Sequence, residues 1–231
     1  MKLSFRRKIL LSLGVVAGIG ALAGAGTFAT FTAQTTNPNN VFADGTLVLS
    51  NTVNSGSACL STAGGSTDVN DNSGCSVAFS LSVQKPGDSD TENLTLKNVG
   101  SLAASDLDTF GTCANADVVA ETYHGTGLPC NEVQFYVQQW SDSARTTPAA
   151  CLYGGTSGPN TCDFSDGSAT LHDFVTTYHD AASGLSAGPL TKLGGASDTT
   201  WFTIGVKLPD TADNTYQGRQ ATLALSWHIT Q

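Results

Sequence analysis

Six cysteines, at positions 59, 75, 113, 130, 151 and 162, are the residues best placed to do chemistry in this chain of 231 residues. An even number suits disulfide formation in an oxidising compartment. Fifteen pairings exist in principle, but the cysteines cluster as three neighbouring pairs, each enclosing a stretch rich in Gly, Asn, Asp or Pro. The spacing therefore favours the local set Cys59–Cys75, Cys113–Cys130 and Cys151–Cys162. Such staples are expected to pin loops rather than build the core, each contributing roughly 3 kcal/mol if unstrained. A thiolate metal site has no support, because no Cys-x-x-Cys occurs and no histidine stands at zinc spacing from a cysteine.

The remaining candidates are weaker. There is no His-Glu-x-x-His, and the four histidines are His124, His172, His179 and His228. His172 and His179 would lie two turns apart on a helix, too far to share an ion without further ligands, and read as solvated surface. Gly184-Leu185-Ser186-Ala187-Gly188 spells a nucleophile elbow, yet Pro189 follows where a helix should begin. Asp68, Asn70, Asp71 and Asn72 before Gly74 offer the hard oxygen ligands of a calcium loop. Their register is not that of an EF-hand, with Phe79 standing where a bidentate Glu belongs, so calcium competes with a polar hairpin loop held by Cys59 and Cys75. No catalytic constellation and no cofactor site emerges.

Most of the chain alternates apolar and polar residues with period two. Leu47 and Leu49, then Val77, Phe79, Leu81 and Val83, then Leu94 and Leu96, share faces in this way. So do Val133, Phe135 and Val137; Phe202, Ile204, Val206 and Leu208; and Leu223, Leu225, Trp227 and Ile229. Turn signals separate them, at Pro86-Gly87, at residues 98–100, at Gly154-Gly155, Gly158-Pro159 and Pro209-Asp210, and at Gln217-Gly218. One helical pattern, residues 168–179, carries Leu171, Phe174, Val175 and Tyr178 on one face. The expected fold is an all-β antiparallel sandwich with disulfide-stapled loops and a short helix capping one end, one domain spanning residues 42–231.

Composition narrows the function. Charged residues are 13% of the chain, against about 25% in typical soluble domains, which disfavours long charged helices and nucleic-acid readers. The net charge is −9, and four of the ten basic residues are Lys2, Arg6, Arg7 and Lys8. They precede an uncharged run rich in Leu, Val, Ala and Gly, the layout of a secretory signal peptide over residues 1–29. Recurrent glycines weaken the competing reading of a retained membrane anchor. Small residues place cleavage between Ala29 and Thr30, with Ala21-Leu22-Ala23 as the competing site. Cleavage at Ala29 removes four bases and no acid, leaving a net charge of about −13 that no polyanion would seek.

Gly26-Thr27-Phe28-Ala29-Thr30-Phe31 and Phe42-Ala43-Asp44-Gly45-Thr46-Leu47 resemble the start of the TasA and camelysin family of secreted bacterial surface proteins. Lys85-Pro86-Gly87-Asp88 leading into residues 94–101, Tyr216-Gln217-Gly218 and the final strand are similar to that family too. The resemblance implies a jelly-roll sandwich, export through a dedicated signal peptidase, and self-association into biofilm matrix or surface fibres by donor-strand addition. The donor would be residues 30–41, with Phe31 and Ala33 on one face. It also raises a camelysin-type metallopeptidase, for which the chain has no zinc motif. A disulfide-stapled monomer that binds another protein or a glycan at the cell surface is a third reading. N-terminal sequencing of the secreted protein should return Thr30 first; a start well beyond Phe31 would remove the donor segment.

Overall fold

The computed structural model of the protein describes residues 45–63, 72, 75 and 85–231. The signal peptide, the cleavage point Ala29/Thr30, the donor residues Phe31 and Ala33, the loop residues Asp68, Asn70 and Asp71, and the alternating stretch 77–83 lie outside the described residues.

The alternating segments form antiparallel strands. They are β1 (Leu49–Val53), β2 (Cys59–Leu60), β3 (Ser89–Asn98), β4 (Asp106–Asp117), β5 (Gln134–Trp140), β6 (Pro148–Tyr153), β7 (Gly155–Gly158), β8 (Thr161–Asp163), β9 (Leu185–Ser186), β10 (Thr199–Lys207) and β11 (Arg219–Thr230). Two short helices, α1 (Pro129–Glu132) and α2 (Leu171–Thr177), interrupt them. A six-stranded sheet has the order β2-β1-β3-β10-β5-β6, a three-stranded sheet the order β11-β4-β9, and β7-β8 form a separate ribbon. Among the described residues no helix is long and apolar enough to cross a membrane.

The apolar face of each strand decides how the sheets meet. Leu94, Leu96, Phe202, Ile204, Val206, Phe135 and Val137 line the inner face of the larger sheet, each no more than 2% exposed. Leu107, Leu223, Leu225, Trp227 and Ile229 oppose them from the smaller one. The Phe202 and Trp227 rings, 4.8 Å apart at their centroids, join the two layers. Asn98, fully buried, closes the turn after β3 by donating to the Leu102 carbonyl and accepting from Gly100 N–H. Only glycine fits at 100, where a Cβ would lie 2.1 Å from the Thr46 carbonyl oxygen.

Three expectations are revised. The first strand begins at Leu49, with Leu47 ahead of it against the core. The helix runs Leu171–Thr177 rather than 168–179: the Thr170 hydroxyl accepts from Asp173 N–H at its start, and the Ser183 hydroxyl takes over the N–H groups of His179 and Asp180 beyond its end. It buries Leu171 and Phe174, and Phe174 stacks edge-on against Phe135 and Tyr153. The polar face of β5 is only partly solvated: the β7-β8 ribbon covers it at Gln138, which is 2% exposed, and leaves Trp140 half-buried. The Gln138 amide donates to the carbonyls of Ala150 and Asn160, and its oxygen accepts from Cys162 N–H.

The disulfides are Cys59–Cys75, Cys113–Cys130 and Cys151–Cys162. They do more than pin loops. Cys113 on β4 and the buried Cys130 on α1 tie the helix into the core, while Cys151–Cys162 ties β8 to β6 above Gln138. Phe202→Ala should cost about 3–5 kcal/mol, because it removes the ring that bridges the layers; chemical denaturation with the disulfides intact measures it.

Candidate functional site

Strand β11 pairs residue for residue with β4 from Arg219 to Thr230, without a bulge. Among the described residues it pairs with nothing on its other side. An edge strand is a row of unpaired N–H and C=O groups, and proteins ordinarily blunt such an edge with charge, proline, irregularity or shortness. After Arg219, β11 has no Lys, Arg, Asp, Glu or Pro in eleven residues. Its inward side chains, Ala221, Leu223, Leu225, Trp227 and Ile229, are only half-buried.

The unequal sheets explain that partial burial. Trp227 places β11 above β10. On the other flank, the Gln139 amide of β5 reaches the Ala187 carbonyl beside β9, and α2 contacts both β4 and β5. A strand added beyond β11 would therefore lie over the inner face of β3, β1 and β2. Leu49, Asn51 and Val53 point from β1 towards that position, as their register with Asn98, Leu96 and Leu94 requires. Beside them, Asn51, Val53, Gly56, Ser57, Cys59 and Cys75 line a solvent-open depression of about 170 Å³. Asn51 Oδ1 is buried there and accepts no hydrogen bond. A buried acceptor without a donor costs roughly 1–3 kcal/mol, so the slot is polar at one point as well as apolar.

The residues singled out in the sequence do not converge on a reaction centre. Of the calcium candidates, Asn72 is described, and its amide nitrogen donates to the Leu60 carbonyl. Among the described residues no three His, Cys, Asp or Glu side chains gather as a metal site. His172 and His179 are exposed on and just after α2. His124 Nδ1 lies 2.8 Å from the Gly218 carbonyl oxygen. Ser186 sits in β9, not on a strand-to-helix elbow, and its hydroxyl donates to Asp106 at 2.7 Å.

One cluster was not legible in sequence, because only strand register assembles it. Asp108 stands between Ser186 on β9 and His228 on β11. Burial beneath the 184–188 segment, followed by repulsion from Asp106, raises the Asp108 carboxyl above its ordinary range, while His228 opposes the shift. A carboxyl that holds its proton more tightly when folded than when unfolded loses stability as pH rises through the carboxylate range. Asp108→Asn should therefore raise Tm at pH 7, with the gain disappearing below about pH 3. A lowered Tm at pH 7 would mean that the pairing with His228, 4.0 Å away, outweighs burial.

The chain matches no family model, and no characterised protein sequence matches it significantly, so its functional reading rests on its own geometry.

Proposed function

We propose that this protein is a secreted structural subunit, a TasA-like jelly roll that builds extracellular matrix or surface fibres. The leading segment of one copy, residues 30–41, adds as a strand to β11 of the next. The observation that supports this most strongly is the edge of β11, uncharged over the eleven residues after Arg219 and, among the described residues, without a partner strand.

Main-chain hydrogen bonds along β11 supply affinity, and alternate side chains supply register. Phe31 and Ala33 face the apolar surface of Leu49, Val53, Leu94 and Leu96, with Thr30, Thr32 and Gln34 turned outward. The contact joins two different surfaces, so it does not close on itself and propagates as a filament. Backbone pairing and apolar burial are what a chain of this acidity needs to overcome repulsion between copies. Signal peptidase frees the segment, and before cleavage the signal peptide alone meets the membrane.

Electron microscopy of the mature protein should show filaments that lengthen with concentration and vanish when residues 30–41 are deleted. Lysines at the outward positions Thr222 and Ser226 of β11 should suppress them while leaving the monomer folded. Unchanged filaments in both variants would refute this mode of assembly.

A further inference from the structure

We infer that the outward face of the six-stranded sheet is a binding platform for a neutral polysaccharide. Thr52, Thr95, Trp201 and Trp140 stand side by side across β1, β3, β10 and β5, in direct cross-strand register. Their neighbours in sequence, Leu94, Phe202 and Gln139 among them, point inward, so this row faces away from the core. Two of the chain's three tryptophans are thus spent outside the core. Both remain half-buried rather than covered.

The chemistry around them is that of sugar recognition. A sugar ring presents a face of C–H groups and a rim of hydroxyls, which suits a flat indole bordered by side chains that both donate and accept. The indole of Trp140 is held in place: its Nε1–H donates to Thr203 Oγ1 at 2.8 Å, and that hydroxyl donates to Asn93 Oδ1 at 2.7 Å. A platform already fixed loses little rotamer freedom on binding. At the Trp140 end, Arg145 adopts a left-handed backbone (φ 56°) and lays its guanidinium across two strands, donating to the carbonyls of Leu94 and Phe202 and to Thr95 Oγ1. Strain of this kind persists where the surroundings over-determine a residue. Asp142, accepting from the N–H groups of Thr146 and Thr147, holds the same turn.

Charge selects the ligand class. The outward positions of β1, β3, β10 and β5 carry no carboxylate, on a chain with nineteen acidic and ten basic residues. Their two lysines are already paired, Lys97 with Asp198 and Lys207 with Asp210. The Arg145 guanidinium on this face is committed to the Leu94 and Phe202 carbonyls and to Thr95 Oγ1, so among the described residues an acidic polymer would meet only engaged cations there and repulsion from the rest of the molecule. A neutral chain of hydroxylated rings meets neither obstacle.

Electrophoresis of the secreted mature protein through native gels containing hydroxyethylcellulose, barley β-glucan, galactomannan or dextran tests the inference, with polygalacturonate as the acidic control. Retardation is expected in at least one neutral gel and not in polygalacturonate. Trp201→Ala should weaken it about tenfold or more. Thr52→Arg, which obstructs the same row without touching the core, should do likewise and serves if Trp201→Ala unfolds. Unretarded migration in every neutral gel, or retardation that survives both substitutions, would overturn the inference. So would variants that alter only sedimentation in sugar-free buffer, which would make the face a contact between copies.

Discussion

Backbone polar groups must be paired, and among the described residues the longest sheet edge without a partner is that of β11. β11 satisfies β4 along its whole length and turns an edge that is uncharged after Arg219 away from it. The larger sheet extends beyond β11 on that flank, carrying Leu49, Asn51 and Val53 with it. An apolar floor, a lone buried acceptor and a row of main-chain donors and acceptors are the complement of one more strand. The functional reading depends on that single complementarity.

The rest of the architecture keeps the slot rigid. Phe202 and Trp227 fix the spacing of the two layers, and the Cys113–Cys130 bridge locks α1 beneath β4. On the opposite flank α2 packs against β4 and β5, and the β7-β8 ribbon covers the outer face of β5 at Gln138 but not at Trp140. Among the described residues one flank is therefore covered and the other is not. A binding face on the outside of the larger sheet and a strand slot on its inside would use opposite sides of β1 and β3, so neither function obstructs the other.

Local periodicity made the strands readable. Phe202, Ile204 and Val206 or Leu223, Leu225 and Trp227 announce an inner face because the side-chain period is two, whatever the partner strand is. What alternation does not carry is the identity of the neighbour. Gln138 reads as a solvent-facing residue until the ribbon folds over it and uses its amide and its oxygen. Asp108, Ser186 and His228 are scattered in sequence and meet only through register. Trp140 and Trp201 are paired in the same way, 61 positions apart. The ends of α2 depended on the hydroxyls of Thr170 and Ser183, whose reach the hydrophobic pattern does not encode. Strand order, and with it the place of β11 at a sheet edge among the described residues, is a long-range property of the chain.

Hydrogen–deuterium exchange on the mature protein, comparing dilute monomer with assembled material, tests the central claim most directly. β11 amides that face away from β4 should exchange rapidly in the monomer and become protected on assembly, together with residues 30–41. Protection of those amides already present in the monomer, or none gained on assembly, would contradict an open acceptor edge.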